Sequence, residues 1–444
     1  MERFRVHSHI KFLCAYIASH PSKVLLRIKL NRLKNQAKEI IAEEQAGFMK
    51  GRSTVEQIFN LRSIIEKYQE HNQELYHVFI DFKKAFDRVW HKALWATLNK
   101  YNIDKTLISL VEDLYNQATS SVFLEGDFGE WFRTTVGVRQ GCLLSPTLFN
   151  LFLERIMTDA LEGHDSTVSI GGRIVSNLRF ADDIDGLAGS EVELAELIRR
   201  LDHSCTAYGM EISAEKTKIM LNTHANKLEN DITINGSKLQ NVDHFIYLGA
   251  LVTDNGSRTE ILSRMAKAQS ALSKLKIVWE DKNISISSKI RLLRSLVISV
   301  FLYACESWTL DSYLEKRIAA FEMRCLRKLL GIDPKQRISN KKVRKIVTIH
   351  IGRHQELLEI VKTRKLKWFG HTTRGSGLAK TCLQGTVRGG RGRGRPRKKW
   401  ADNICDWTGL SFAKATRAAE CRVGWRGLVR EAASSSGPNS ATPR

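Results

Sequence analysis

Asn177-Leu178-Arg179-Phe180-Ala181-Asp182-Asp183-Ile184-Asp185-Gly186-Leu187 decides the fold. Two strand-like runs, Ile174 to Phe180 and Ile184 to Leu187, flank Ala181, Asp182 and Asp183, so the stretch reads as a hairpin with paired acids at its tip. Directly after it, Ser190 and Glu193 form a capping box for a helix that runs to Tyr208 and stops at Gly209. Upstream, Val78, Phe79 and Ile80 make a continuous apolar run ending on Asp81, which reads as a buried strand carrying one acid at its carboxyl end.

Between these two points the spacing predicts helices over about Lys84 to Lys100 and Thr106 to Gln117. Strand-like segments follow at Ser120 to Glu125 and Trp131 to Val136 around a Gly126 to Gly129 turn. Ser145-Pro146 starts a further helix, with Ser as N-cap and Pro where its missing N–H costs nothing. A strand at Lys218 to Leu221 and an Asn235-Gly236 hairpin complete the middle of the chain. Strand, helices, hairpin, helix, strand is the order of a ferredoxin-like split βαβ sheet with helices on one face, an α+β fold.

If the two acid-bearing strands are neighbours, Asp81, Asp182 and Asp183 share one small space, which is costly unless cations occupy it. Two Mg²⁺ ions held by oxygen ligands do this in phosphoryl-transfer enzymes, one activating the attacking oxygen and one stabilising the leaving oxygen. The alternative reading is local: Asp favours turns, so Asp182-Asp183 is an ordinary hairpin tip and Asp81 an N-cap.

The flanks set the context. From Pro21, apolar residues at Val24, Leu25, Ile28, Leu33, Ala37, Ile40 and Ile41 are spaced for a helix with one buried face. A basic, glycine-punctuated loop from Gly47 to Thr54 precedes a helix over about Val55 to Tyr68. From about Glu260 the chain turns helical, with a stop at Gly331 and Pro334. The segment Lys362 to Trp400 carries many Lys and Arg and no Asp or Glu, and Ser434 to Arg444 is polar and expected to be disordered.

The whole chain has 444 residues, 43% of them apolar, and a formal charge of +23, which favours a polyanionic partner, nucleic acid before membrane. Its eight cysteines include no C-x-x-C pair, so neither a disulfide scaffold nor a zinc ribbon is indicated. The longest apolar run, Leu296 to Cys305, is about half of a bilayer span, so no membrane partner is expected.

These segments, in this order, resemble the reverse transcriptase of non-LTR (LINE-like) retrotransposons, in its endonuclease/reverse transcriptase type. Gln45-Ala46-Gly47-Phe48 with Gly51-Arg52-Ser53-Thr54 resembles the fingers motif. Val78 to Asp87 resembles motif A, which implies Asp81 as a metal ligand and Phe86 as the bulky side chain that excludes a 2′-hydroxyl. Val138-Arg139-Gln140-Gly141 with Ser145-Pro146 resembles motif B, under the incoming nucleotide. Phe180-Ala181-Asp182-Asp183 resembles motif C, with both aspartates at the metal site. Gly209 to Thr217 resembles motif D, with Lys216 as proton donor to the departing diphosphate. Tyr247-Leu248-Gly249 resembles motif E, the primer grip.

The resemblance implies a right-hand polymerase: remnant fingers at 1–70, a palm at 71–250, a helical thumb at 251–335 and a basic nucleic-acid-binding region at 336–444. It implies RNA-directed DNA synthesis with two Mg²⁺ ions, Mn²⁺ as a substitute, and an RNA template, DNA primer and dNTPs as partners. Arg52, Arg139, Gln140 and Gly141 with Phe86 are the implied nucleotide contacts. In the tail, Arg391, Arg393, Arg395, Arg397, Lys398 and Lys399 are candidate nucleic-acid contacts, like an AT-hook core; a solubilising run or a nuclear localisation signal are the other readings. Nucleus and cytoplasm are the expected locations.

Two departures from the family pattern shape the alternative. The target-nicking endonuclease that precedes the polymerase in full-length elements is not encoded in the short N-terminal segment, so the expectation is an N-terminally truncated chain. Residues 12–18, Phe-Leu-Cys-Ala-Tyr-Ile-Ala, lack the arginine of the first fingers motif. The alternative is therefore a catalytically inactive, retrotransposon-derived RNA/DNA-binding protein.

Overall fold

The computed structural model describes residues 20–116, 119–121, 123–124, 127–139, 141–222, 230–254, 256–390 and 397–434. Expectations that rest on residues 12–18, Gln140, Arg391, Arg393, Arg395 and the tail beyond Ser434 lie outside them.

The chain opens with α1 (His20–Ile40) and α2 (Thr54–Glu70), whose N-cap Ser53 accepts from the Glu56 amide. Strand β1 (Tyr76–Ile80) leads to a 3₁₀ turn (Ala85–Arg88), α3 (His91–Lys100) and α4 (Lys105–Asn116). Two nested hairpins follow, β2 (Thr119–Ser120) pairing β5 (Phe132–Arg133) and β3 (Phe123–Leu124) pairing β4 (Asp127–Phe128). After α5 (Ser145–Leu161) come β6 (Ser169–Ile170), β7 (Arg173–Ile174), β8 (Asn177–Phe180), β9 (Asp183–Ala188) and α6 (Glu191–Ala207). Then come β10 (Lys218–Leu221), β11 (Thr233–Ile234), β12 (Ser237–Lys238), β13 (Gln240–Asn241), β14 (His244–Tyr247) and β15 (Ala250–Thr253).

Strand order in the central sheet is β13-β10-β1-β9-β8, with β1 antiparallel to both neighbours. Every residue of β1 is buried, as its unbroken apolar run predicts. That follows from cover on both faces, which corrects the expectation of helices on one face only. Tyr76, Val78 and Ile80 face a core shared with α3, α4, α5 and α6, while Phe79 faces a second core built with α2, Tyr247 and Val252.

The rest is helical: α7 (Arg258–Lys274), α8 (Lys276–Glu280), and α9 (Ile286–Leu292) running through a π turn into α10 (Ser299–Phe301). Then α11 (Ser312–Leu330), ended by Gly331 at φ 65°, and α12 (Asn340–Ile351) complete a bundle with its own core. The C-terminal helices α13 (Leu357–Arg374), α14 (Leu378–Gln384), α15 (Trp400–Thr408), α16 (Phe412–Glu420) and α17 (Arg422–Ser434) pack around Phe59 of α2. Cys382 of α14 enters the core behind the sheet.

Three local expectations change. In α1 the buried seam is Leu26, Leu30, Leu33, Ala37 and Ile41, while Val24, Leu25 and Ile28 face outward. Both stripes have helical spacing, and packing on α5 selects between them. The helix expected over Lys84 to Lys100 is interrupted: Lys84 is left-handed at φ 53°, and Trp90 bridges Val136 instead of continuing a helix. The capping box at Ser190 is half formed, because the Glu193 carboxylate reaches Gly189 N and Thr167 rather than the Ser190 amide.

Candidate active site

Register builds the site. Ile80 pairs with Ile184 and Phe180 with Asp183, so Asp81, one residue beyond β1, meets the β8–β9 turn that carries Asp182 and Asp183. The Asp81 carbonyl accepts from Ser213 N at 2.8 Å, and Lys216, three residues on, donates to Asp81 Oδ1 at 3.3 Å. Lack of water raises the Asp183 pKa to about 6, with Asp182 and Asp81 adding repulsion; Asp182 is raised too, first by desolvation and then by Asp81.

The β8–β9 turn is clamped by a segment 136 residues earlier. Ala181 stands at φ 57°, a left-handed conformation that costs a non-glycine residue about 1–2 kcal/mol. Gln45 holds it: Oε1 accepts from Ala181 N at 2.8 Å, and Nε2 donates to Ala181 O at 3.1 Å. The same Oε1 accepts from Gly47 N at 2.8 Å. Gln45 also bridges Arg179 in parallel, extending the sheet beyond β8. Gly47 is here because nothing larger fits; a Cβ would stand 2.1 Å from Ala181 N. Arg52 donates to the Ala42 carbonyl at 2.8 Å and the Gln45 carbonyl at 2.5 Å, closing the loop beneath the turn. The motif that contains Gln45 was visible in the sequence, but the amide clamp was not.

Phe86 stacks on Phe149 of α5 at 4.3 Å and meets Phe48 edge-on at 6.3 Å, which fixes its ring beside the aspartates' strand. Phe86 O accepts from Val138 N at 2.8 Å, tying the Asp81 segment to the Val138–Gly141 loop. In that loop Gly141 has φ 82° with open space where a Cβ would be. Arg139 donates to the Leu114 carbonyl and lies over the Tyr115 ring at 5.3 Å.

Among the described residues no three His, Cys, Asp or Glu side chains already converge as an ion's ligand set. The donor chemistry nevertheless fits a hard divalent cation: the donors are carboxylate oxygens, and Asp182 and Asp183, partly desolvated and beside the charge of Asp81, gain from added positive charge.

The family described as "Reverse transcriptase (RNA-dependent DNA polymerase)" matches residues 15–252. The chain belongs to it. A putative uncharacterised transposon-derived protein of Caenorhabditis elegans is 28% identical over 59% of this chain and 97% of its own length. The RNA-directed DNA polymerase from mobile element jockey of Drosophila funebris is 25% identical over 70% of this chain and 34% of its own. A Pol polyprotein from a type-1 retrotransposable element R2 of Nasonia vitripennis is 25% identical over 54% of this chain. The chain spans about a third of the jockey polymerase and 24% of the R2 polyprotein. Divalent-metal use is general in the reverse transcriptase family.

In this member of the reverse transcriptase family the central sheet is the palm of a right-hand polymerase fold. Its Tyr247-Leu248-Gly249 segment forms the β14–β15 turn, with Leu248 at φ 47° and Gly249 at φ 78°. The helical bundle holds that turn: Tyr303 donates to Leu248 O at 2.6 Å and Arg264 to Gly249 O. Tyr247 is buried beneath, its hydroxyl 3.4 Å from Leu178 O, and burial holds its pKa well above the ordinary range.

Of the six candidate tail cations the structure describes Arg397, Lys398 and Lys399. Lys398 pairs with Asp406 at 2.8 Å and Lys399 with Glu70 at 2.5 Å, and Lys399 N caps α15 through Asp402. Arg397 and Lys398 are exposed, and Lys399 is half-buried. Phe369 and Trp400 are core residues, packed with Phe59.

Proposed function

We propose that this chain extends a DNA primer along an RNA template. The observation that carries the reading is the strand register, which sets Asp81 at the end of β1 beside the β8–β9 turn that carries Asp182 and Asp183, with Lys216 3.3 Å from Asp81 Oδ1. Asp81, Asp182 and Asp183 would hold two Mg²⁺ ions, or Mn²⁺ in their place. Bound there, these would favour the alkoxide of the primer 3′-hydroxyl and neutralise charge on the diphosphate.

The chain's own residues do the positioning. The primer 3′-oxygen, its proton released to solvent water, attacks the α-phosphorus of a dNTP, the bond to the bridging oxygen breaks, and diphosphate leaves with a proton from Lys216, which exposed Lys216 regains from solvent. Phe86, braced on Phe149, fills the space a 2′-hydroxyl would need. Gly141 allows close backbone approach to the nucleotide. The turn at Tyr247-Leu248-Gly249 holds the primer end, and Arg52 shapes the loop that supports the aspartate turn.

The test is primer extension on an RNA template with Mg²⁺ and dNTPs at low salt, wild type beside Asp182→Asn/Asp183→Asn, both checked for folding by circular dichroism. Wild type alone should extend. Extension by the variant would overturn the aspartate assignment. No extension by either, with template bound, would favour the inactive RNA/DNA-binding protein.

A further inference from the structure

A cavity of about 1,030 Å³ opens between α13, α17, the π turn after α9 and the loop before α13. It belongs to none of the polymerase motifs. Its charged lining is almost all cationic, with Arg294, Lys367, Arg374, Arg422 and Arg426 set around an apolar floor. The one acid there, Glu359, has Arg353 at 3.9 Å. None of those five cations forms an ion pair with an acid among the described residues. Arg374 is depressed in pKa by burial and then by Arg422 and Arg426, so these arginines repel one another.

The wall is rigid. The Trp425 ring sits so close to Gly370 that a Cβ there would be 2.5 Å away, and its indole N–H donates to Leu366 O at 2.9 Å. Arg374 donates to the Ala419 carbonyl at 2.5 Å, locking α13 onto α16. Like charges held together this firmly raise the free energy of the empty site, and an anion recovers it.

The spacing selects a polymer over a small anion. Arg422, Arg426 and Arg430 recur every four residues along α17, about 6 Å apart at 1.5 Å per residue, comparable to the step between phosphates along a strand. Lys367, His371 and Arg374 form the facing row on α13. The floor between the rows is apolar, from Ile360, Val429 and Ala433, which suits bases rather than a second strand. His371 is exposed, its ring 5.6 Å from Trp368, and offers a flat face to a base.

We infer that this cleft between α13 and α17 is a second nucleic-acid site that holds the phosphodiester backbone of single-stranded RNA outside the palm. The choice of RNA rests on the proposed function, in which the template is the single strand. Lys398 and Lys399, by contrast, are already paired with Asp406 and Glu70.

The experiment measures binding of a labelled oligo(U) and of oligo(dT) of equal length across a salt series. It uses the full chain carrying Asp182→Asn/Asp183→Asn, so that binding is read without synthesis. Into it go Lys367→Gln/Arg422→Gln/Arg426→Gln, or the charge-preserving Lys367→Arg/Arg422→Lys/Arg426→Lys. Three lost phosphate contacts should flatten the slope of log K against log salt by about 2, roughly a 100-fold weaker affinity at 0.1 M salt. The charge-preserving variant should keep most of the affinity. Separately, the glutamine variant in the otherwise wild-type chain should extend a short pre-annealed primer–template at the wild-type rate, which separates failure of this site from failure of the palm. An unchanged salt slope, or equal loss in the charge-preserving variant, overturns the site. Equal loss for oligo(dT) overturns its assignment to RNA.

Discussion

Gln45→Ala should disable the aspartate turn without touching an aspartate. The side chain makes three hydrogen bonds, two at 2.8 Å to the amides of Ala181 and Gly47 and one at 3.1 Å to the Ala181 carbonyl. Gln45 is fully buried, so truncation leaves three backbone groups short of partners at about 1 kcal/mol or more each, about 3 kcal/mol in all. Ala181 then has no reason to keep φ 57°, and relaxing it releases about 1–2 kcal/mol while swinging Asp182 away from Asp81. Single-turnover primer extension should therefore slow by roughly 100-fold, with a higher divalent-metal requirement and little change in template affinity. Ala181→Gly supplies the diagnostic control, because glycine takes the left-handed region at no steric cost. Gln45→Ala/Ala181→Gly should recover about tenfold over Gln45→Ala alone. Wild-type extension by Gln45→Ala, or a double variant no faster than the single, would refute the clamp.

The remaining expectations are simpler. Gly47→Ala drives a methyl into Ala181 N, at 2.1 Å, and should lower the melting temperature and abolish extension together; a normal melt would mean the loop can move aside. Phe86→Ala removes the ring stacked on Phe149 and should raise ribonucleotide incorporation relative to deoxynucleotide, read as the ratio of kcat/KM values. Glu66 is pushed up to about 7 by burial, against a hydrogen bond from Trp400 N and the charges of Lys365 and Lys67. A carboxyl raised in the folded state binds more protons there than in the unfolded chain, so its contribution is greatest below about pH 4.5 and is lost as pH rises to 7. The stability difference between wild type and Glu66→Gln, from urea unfolding at pH 5 and 7.5, should shift against wild type at the higher pH by about 1–3 kcal/mol. A constant difference would show that Glu66 is charged throughout.

What could be read from the sequence was what neighbours in the chain decide. The apolar run Val78–Ile80, the acid at its end, the hairpin around Ala181 and the stop at Gly331 are local, and each stands where its pattern put it. What could not be read depends on distant partners. The two candidate faces of α1 are equally periodic, and only α5 decides between Leu26 and Leu25. The break at Trp90 is made by Val136, and the residue on which Phe369 and Trp400 pack, Phe59, stands on the distant α2.

The same division runs through the site. Asp81, Asp182 and Asp183 were legible because metal chemistry restricts which residue can stand there, whereas Gln45 acts through backbone atoms that any residue at 181 would offer. Its partner is recognisable only once the Glu44–Gly47 segment lies beside β8. The cleft between α13 and α17 shows the converse. A charge of +23 announces a polyanion, but composition spreads it over the whole chain. Folding sorts it: Lys398, Lys399 and Arg173 go into ion pairs, while Lys367, Arg422 and Arg426 collect on one wall and form no ion pair among the described residues. Composition announces the polyanion, and the fold adds a place for it that the sequence pattern does not mark.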